Sequence, residues 1–364
     1  MSDTHRWGAM SFTQTPAVQT PNLETLAQQG ISFSRYYVNL PICTPYRAIL
    51  MTGRWPYQQG LMANHMSLAE RVDLPANEQT NGTLSWVFKH AGYTTALIGK
   101  WHLGGRDARP FGFETSIVWG GTNNHRRSVY NINDGPTVQW KGQSNATAMT
   151  TQALDWIDEV RGAGKPFFLV LSLNPPHGPF GDALEEKQAL YPDEAALPFH
   201  PLDDIRNWES HRDYHALISN VDDQVGRVMA RLDELGLSED TLLIYTSDHG
   251  GMTGIDGVGY GQKRHPNDES TRVPFLVRWP GHVPAGNSRQ TLFSTIDVFP
   301  TLARVVGLQE RLVKSNTPEA EASLTYLESL PGVDLSEALL NENGGPEPRS
   351  VFLMHPSNMN NNWR

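Results

Sequence analysis

The 364-residue chain has one cysteine, Cys43, which excludes an internal disulfide and leaves the redox compartment of the protein open. No apolar run approaches about 18 residues, so the sequence predicts no membrane-spanning helix, and no signal peptide is recognisable. An excess of basic residues is also missing. The formal net charge of −10 argues against nucleic acid as a partner, and it requires any anionic substrate to meet a local basic pocket.

The residues that are present favour an α/β protein with a large core. The length allows one large domain with an appended piece, or two domains. A helix pattern over residues 83–90 is followed by a strand pattern over residues 93–98, an alternation typical of α/β folds. The nearly continuous apolar runs at residues 166–173 and 241–247 predict buried strands. Residues 105–145, rich in Gly, Asn and Arg, predict loops.

Cys43 begins the sequence Cys-Thr-Pro-Tyr-Arg, which continues through four apolar residues to Thr-Gly-Arg. Pro45 suits the first turn of a helix, and Gly53 suits its end. We therefore expect Cys43 just before a helix N-terminus, where the helix dipole and unpaired N–H groups favour an anion, with Arg47 one turn further on. The pattern favours a reactive residue that faces a phosphate- or sulfate-like group. A chemically inert buried cysteine is the alternative interpretation.

Three further motifs follow predicted strands, at the edge where ligands bind in open α/β sheets. Each also has an ordinary interpretation: a solvated lysine with an incidental histidine, a rigid proline turn, or a chance Asp-His pair. A carboxylate beside a histidine at a strand end is nevertheless a candidate metal site. The motifs are Gly-Lys-Trp-His-Leu-Gly with Lys100 and His102, Asn-Pro-Pro-His-Gly-Pro-Phe with His177, and Asp-His-Gly-Gly with Asp248 and His249.

Together these motifs resemble the type I, formylglycine-dependent sulfatases of the alkaline-phosphatase-like superfamily. The Cys43 motif resembles the family signature, with Tyr46 in place of the usual serine. Residues 262–281, which include Lys263, resemble the block that follows the family's Asp-His pair. The resemblance implies an α/β fold with a mostly parallel central sheet flanked by helices, and the start of a small C-terminal subdomain.

The resemblance also implies an enzyme, a sulfuric ester hydrolase acting on a sulfated carbohydrate or a small organic sulfate. In that family the cysteine matched by Cys43 is oxidised to formylglycine, whose hydrated aldehyde attacks the sulfur atom. The other implied roles are sulfate neutralisation by Arg47, Lys100 and Lys263, protonation of the leaving oxygen by His177, proton removal from the hydrate by His102, and metal binding by Asp3, Asp248 and His249.

The implied cofactor is Ca²⁺, a hard ion that prefers oxygen ligands. Thr4 stands where the family has a second aspartate, and His249 offers nitrogen, so Mn²⁺ and Zn²⁺ stay open as alternatives. The implied partners are a sulfated glycan or small-molecule sulfate ester, and a formylglycine-generating or anaerobic sulfatase-maturating enzyme. With Tyr46 in the motif, the conversion of Cys43 is an open question.

We expect a catalytic α/β domain over residues 1–307, and a linker with an incomplete C-terminal subdomain over residues 308–364, where Glu, Ser, Asn and Pro become frequent. Residues 351–354 are expected to begin a strand of that subdomain. The resemblance implies a central strand before Asp3 that this sequence does not include, so we expect a truncated or misplaced start; a family member without that strand is the alternative. As written, the chain is expected in the cytoplasm; if the true N-terminus is missing, a periplasmic or secreted protein is expected instead.

Two other functions stay open. A phosphonate monoester or phosphodiester hydrolase of the same superfamily shares the fold and the formylglycine, and such enzymes often have a non-carboxylate residue where this chain has Thr4. The retained Lys-Trp-His motif favours the sulfatase. The third interpretation is a truncated, inactive sulfatase-like binding protein, which Thr4, Tyr46 and the incomplete ends support.

Overall fold

The structure is a computed structural model that describes residues 1–70, 82–120, 123–140, 143–198, 207–254, 258–342, 344–345, 348 and 350–354. Its strands are β1 (Ile31–Phe33), β2 (Tyr36–Tyr37), β3 (Thr94–Gly99), β4 (Thr115–Trp119), β5 (Ser128–Ile132), β6 (Thr137–Trp140), β7 (Phe167–Ser172), β8 (Leu243–Thr246), β9 (Phe275–Arg278), β10 (Asn287–Arg289) and β11 (Phe293–Ser294). Its α-helices are α1 (Pro21–Gln28), α2 (Cys43–Thr52), α3 (Pro56–Gln59), α4 (Leu84–His90), α5 (Asn145–Val160), α6 (Glu185–Gln188), α7 (Trp208–Glu234), α8 (Asp268–Thr271), α9 (Thr295–Val305), α10 (Leu308–Ser315), α11 (Pro318–Glu328) and α12 (Ser336–Leu340).

The strands form two main sheets that meet at the start of the chain. One sheet has the order β6-β5-β4-β3-β7, with β3 parallel to both β4 and β7. The other has the order β10-β1-β9-β8, in which β9 is antiparallel to both of its neighbours. Ser2 pairs in parallel with Ser247 just beyond β8, and Met1 exchanges backbone hydrogen bonds with Leu171 and Leu173. The first residues therefore join the carboxyl ends of β7 and β8.

Helices cover both faces of this arrangement. Alternate residues of β3 contribute to different apolar clusters, Leu97 to one and Ala96 and Ile98 to the other, because successive strand side chains point to opposite faces. Helices α2, α4 and α9 contribute buried residues to the first cluster, and α1, α5 and α7 contribute to the second. None of the described helices is long and apolar enough to cross a membrane.

β7 and β8 are less buried than their apolar sequences predict. The side chains from Phe167 to Leu171 in β7 are only half-buried, as are Leu243 and Ile244 in β8. Between these two strands lies a cavity of about 710 Å³, lined by apolar side chains of both strands. Beyond the contacts of the first residues at its carboxyl end, no strand among the described residues pairs with the facing edges of β7 and β8.

Two segments differ from the sequence-based expectations. Residues 105–145 include β4 and the antiparallel pair β5–β6 rather than loops alone. The sequence showed no strand pattern here because β6 lies at the sheet edge. Thr137 and Gln139 are exposed there, so their polar side chains can stay in contact with solvent without destabilising the fold.

Residues 308–340, predicted as a linker, form helices α10, α11 and α12. Leu308 and Leu312, one helical turn apart, are buried in the same apolar cluster as residues of α2 and α9. A narrow apolar stripe is therefore enough to pack this otherwise polar segment against the core. Residues 351–354 form no strand. Instead, the N–H of Met354 donates to the carbonyl oxygen of Asn39 at 2.7 Å. The boundary at residue 307 stays a prediction.

Candidate active site

The nine residues singled out from the sequence meet at the carboxyl ends of β3, β7 and β8, beside the N-terminus of α2. β3 and β7 belong to one sheet and β8 to the other, and their carboxyl ends lie close together, so residues far apart in the chain become neighbours. Direct contacts or electrostatic interactions connect all of them: Asp3, Cys43, Arg47, Lys100, His102, His177, Asp248, His249 and Lys263.

Cys43 is the first residue of α2, rather than the residue before it, and it is 1% exposed. The helix ends at Gly53, which has the positive φ of 60° that favours glycine. The Sγ atom of Cys43 lies 3.0 Å from Nζ of Lys263 and 3.2 Å from Nε2 of His249. Cys43 thus lies at a helix N-terminus, as the sequence predicts, with Lys263 and His249 in direct contact with its sulfur atom.

These neighbours favour a thiolate. Burial raises the pKa of the Cys43 thiol, and so does the carboxylate of Asp3. Lys100, Lys263 and His249 lower it by more, so the pKa of the thiol lies well below its ordinary value. The pocket is thus built to hold a negative charge at this position.

Asp3 and Asp248 are fully buried and face the same space. Nζ of Lys100 lies 2.5 Å from Asp3, and the guanidinium of Arg47 lies 3.0 Å from Asp248 and 3.5 Å from Asp3. Burial and the charge of Asp3 raise the pKa of Asp248, whereas for Asp3 burial is outweighed by Lys100 and other cations, which hold its pKa well below the usual value. The repulsion between the two carboxylates would be relieved by a further cation.

The side chains around the two carboxylates could bind such a cation. One ligand atom from each of Asp3, Cys43, Asp248 and His249 lies within 4.8 Å of the others. Nδ1 of His249 donates to the carbonyl oxygen of Gly250 at 2.7 Å, which directs Nε2 toward Asp3 at 3.6 Å and Asp248 at 3.5 Å. Burial lowers the pKa of His249, but Asp248 and Cys43 together raise it above its ordinary value, so a proton and a metal ion compete for Nε2. Two carboxylates and one imidazole nitrogen suit a divalent ion.

Thr4 holds these carboxylates in place. Its hydroxyl donates to Oδ1 of Asp3 at 2.8 Å, and its backbone N–H donates to Oδ1 of Asp248 at 3.2 Å. Its φ of 71° is unusual for a β-branched residue, a kind of strain that clusters at functional sites. Thr4 therefore orients two of the candidate ligands through hydrogen bonds, at the position where the resemblance implies a second aspartate.

Three of the predicted residues, His102, His177 and Lys263, are only partly buried and border the solvent-facing side of the site. Burial lowers the pKa of His177, against the opposing effect of the Asp3 carboxylate. Burial also lowers the pKa of His102, partly offset by its hydrogen bond with Cys43. The lowered pKa favours the neutral form of each imidazole, which can accept a proton, whereas the Asp3 carboxylate favours the protonated form of His177 that a proton donor requires. This side is where a substrate would approach.

Two further residues, Ser172 and His125, support the site although no motif indicated them. The hydroxyl of Ser172, the last residue of β7, accepts a hydrogen bond from Arg47 at 2.7 Å. His125 is buried, and its Nε2 donates to the carbonyl oxygen of His177 at 2.5 Å. Position at a strand end could have drawn attention to Ser172. No sequence signal identified His125, because its partner lies 52 residues away in the chain.

Comparison with known proteins gives a consistent result. The family model described as Sulfatase matches residues 1–308. An ulvan-active sulfatase of Formosa agariphila is 29% identical, with 91% of this chain and 67% of that protein covered. An N-acetylgalactosamine-6-sulfatase of Mus musculus is 28% identical, with 85% of this chain and 62% of that protein covered. The chain thus spans about two thirds or less of the length of these relatives.

A solved structure shares the fold. The crystal structure of yidJ from Bacteroides fragilis superimposes with a TM-score of 0.81 at 26% identity, covering 95% of this chain and 78% of that one. The predicted alkaline-phosphatase-like α/β fold class is thereby confirmed. The family resemblance drawn from the motifs is confirmed by the match over residues 1–308.

Proposed function

Because the chain belongs to the sulfatase family, we propose that it hydrolyses a sulfate ester of a sulfated carbohydrate, with Cys43 as the precursor of a formylglycine nucleophile. The observation that carries this proposal is the position of Cys43 at the N-terminus of α2, with Lys263 at 3.0 Å and His249 at 3.2 Å. A glycan substrate is supported by the relatives, which are named for ulvan and for N-acetylgalactosamine 6-sulfate.

Three cations converge where the sulfate group would lie. Lys263 and Lys100 approach the sulfur atom of Cys43, at 3.0 and 4.0 Å, and Arg47 lies one turn along the same helix. Arg47 is held by Asp248 and Ser172, so its guanidinium is positioned before any substrate arrives. Preorganised positive charge in a buried site stabilises an anionic transition state without reorganisation at the moment of reaction.

Formylglycine, once formed, would supply an oxygen nucleophile in place of the thiol. A divalent cation held by Asp3, Asp248 and His249 would make that oxygen more acidic. We assign His177 as the group that protonates the leaving oxygen and His102 as the group that accepts a proton when sulfate is released. Both imidazoles border the solvent-facing side, where the leaving alcohol departs.

We also propose that the bound ion is Ca²⁺, because the two buried carboxylates offer hard oxygen ligands. Adding Ca²⁺ to metal-stripped protein is expected to raise the Tm by several degrees, since an ion that binds only the folded state stabilises it. The Asp248→Asn variant should lose this shift, whereas Asp268→Asn, which alters an exposed carboxylate, should keep it. A larger shift with Mn²⁺ or Zn²⁺ at equal concentration would overturn the choice of Ca²⁺ and indicate that the His249 nitrogen dominates.

The proposed partner for maturation is a formylglycine-generating or anaerobic sulfatase-maturating enzyme. Chain co-expressed with such an enzyme is expected to show an aldehyde in the Cys43 peptide by mass spectrometry. A thiol that persists under these conditions would exclude the formylglycine mechanism and attribute the failure to Tyr46 in the motif.

The reaction class is tested by comparing an aryl sulfate with an aryl phosphonate on matured protein. We expect the sulfate to be turned over with a kcat/KM at least about tenfold higher. The specific feature that favours the alternative is Thr4, which donates hydrogen bonds where a carboxylate ligand is expected. Faster phosphonate turnover would therefore assign the chain to the phosphonate monoester or phosphodiester hydrolases. Activity on neither substrate by protein with a converted Cys43 would favour the inactive binding protein.

A further inference from the structure

His125 contacts the segment that carries His177, although the two residues lie in different parts of the chain. It belongs to the loop of residues 123–127 that precedes β5, and its side chain is buried. Its Nε2 atom lies 2.5 Å from the carbonyl oxygen of His177. Because a carbonyl oxygen can only accept, Nε2 carries the proton of this hydrogen bond. The bond therefore fixes the backbone of the residue that we assign as the proton donor.

Asn145, the first residue of α5, determines the form of the His125 imidazole. Its side-chain Nδ2 lies 3.4 Å from Nδ1 of His125, and its backbone N–H donates to the carbonyl oxygen of His125 at 2.8 Å. An amide nitrogen can only donate, so Nδ1 of His125 accepts and is unprotonated. Burial lowers the pKa of His125, which favours the same neutral imidazole. Asn145 thus selects the tautomer that donates to His177.

Two further contacts attach the same loop to the segment that follows His177. The backbone N–H of His125 donates to a carboxylate oxygen of Asp182 at 3.0 Å. The guanidinium of Arg126 donates to the carbonyl oxygen of Ala183 at 2.8 Å. The loop therefore holds this segment at both ends, and His125 makes the contact at its beginning, where the imidazole is attached.

The imidazole of His177 has one nitrogen left for the substrate. Its Nδ1 lies 2.6 Å from the carbonyl oxygen of Gly178, so Nδ1 is protonated whether the ring is neutral or cationic. A proton delivered to a leaving oxygen must then come from Nε2, and the direction of Nε2 depends on the backbone of these two residues. Proton transfer needs a separation of about 2.6–3.2 Å between heavy atoms, so a small displacement of this backbone is enough to slow it.

We propose that His125 is a positioning residue for His177, because its bond to the His177 carbonyl oxygen aligns Nε2 of that imidazole with the oxygen of the leaving sugar. His125 is buried, so it acts through His177 rather than on the substrate. The inference rests on the proposed function, since it extends the role assigned there to His177. It predicts that His125 contributes to kcat when the leaving group is poor, and little to KM.

The kinetic test compares His125→Leu, which removes the donor, with His125→Gln, whose side-chain amide can donate to the same carbonyl oxygen. For a sulfated sugar, kcat of matured His125→Leu is expected to fall about 10- to 100-fold with little change in KM, and kcat for an aryl sulfate less than about threefold. His125→Gln should recover most of the loss. The control is His90→Leu, which removes a hydrogen bond to Ser323 between α4 and α11 and should leave both rates unchanged.

A second measurement needs no enzymatic activity. In His125→Leu, hydrogen exchange at the amides of His177 and Ala183 is expected to be at least about tenfold faster, whereas His125→Gln should leave it unchanged. NMR of the chain with isotope-labelled histidine should show His125 as the neutral tautomer with the proton on Nε2. Both measurements use the chain with an unconverted Cys43, so a failure of this inference can be told apart from a failure of the proposed function.

Three results would overturn the proposal. Equal losses on the two substrates in His125→Leu would show a general disturbance of the site. A His125→Gln variant as slow as His125→Leu would show that the hydrogen-bond donor is not what His125 contributes. Unchanged exchange at His177 in His125→Leu would show that His125 does not hold this backbone. If the parent chain hydrolyses neither substrate but the exchange rates change as expected, the proposed function fails and the positioning of His177 by His125 stands.

Discussion

Replacement of Cys43 by alanine is expected to lower kcat for a sulfate ester by at least about 10⁴-fold, because it removes the atom from which the nucleophile is made. Binding of the substrate should change far less. Arg47, Lys100 and Lys263 are held by partners other than the sulfur atom, among them Asp248 for Arg47 and Asp3 for Lys100. The measurement is kcat and KM on matured protein, with inorganic sulfate as a competitive probe of binding.

The matched control is Met51→Leu, which alters the same helix at a buried apolar position and conserves side-chain volume. This control should retain turnover. A Cys43→Ala variant that keeps more than about a tenth of the activity would exclude a nucleophilic role for the residue. Simultaneous loss of activity and of sulfate binding would instead show that the thiolate position is needed to assemble the cation cluster.

Replacement of His177 by glutamine is expected to slow hydrolysis in a manner that depends on the leaving group. A sugar alcohol is a poor leaving group and needs a proton, so its turnover should fall by about 10²- to 10⁴-fold. An aryl sulfate departs as a stabilised phenolate and should lose less than about tenfold. The ratio of these two effects separates proton donation from a general disturbance of the site.

His65→Gln is the control for this experiment. His65 is exposed and its ring lies 5.7 Å from that of His102, so the variant also removes an imidazole beside the site. It should affect both substrates equally and weakly. Equal losses on the two substrates in His177→Gln would contradict the assignment of His177 as the proton donor.

Several elements followed from local sequence. Pro45 and Gly53 predicted α2 nearly to the residue, because a proline in the first turn and a glycine at positive φ are local requirements of a helix. The strands β3, β7 and β8 were predicted from their apolar runs and from the alternation of helix and strand patterns. The helices after residue 307 were not predicted, because polar residues dominate their composition. Only a few apolar side chains, among them leucines, attach these helices to the core.

The candidate site itself was drawn from motifs, and its members do lie together. The sequence could not supply their electrostatics. The pKa of the Cys43 thiol is lowered because Lys263 and Lys100 lie close to its sulfur atom. These two lysines are 220 and 57 positions away from Cys43 in the chain, so only the fold brings them to it. The support given by Ser172 to Arg47 and by His125 to His177 is equally a product of tertiary contact.

By itself the sequence determined the fold class, the family and the candidate chemical residues, because motifs and periodicity record short-range requirements of the backbone and of the reaction. Only the tertiary structure decided how the two sheets meet, that Thr4 binds Asp3 and Asp248, and that an apolar cavity separates β7 from β8. The physical reason is the same in each case. Strand pairing and the balance of charges in the site depend on residues that are distant in the chain and adjacent in the fold. Neither can be predicted from a short stretch of sequence.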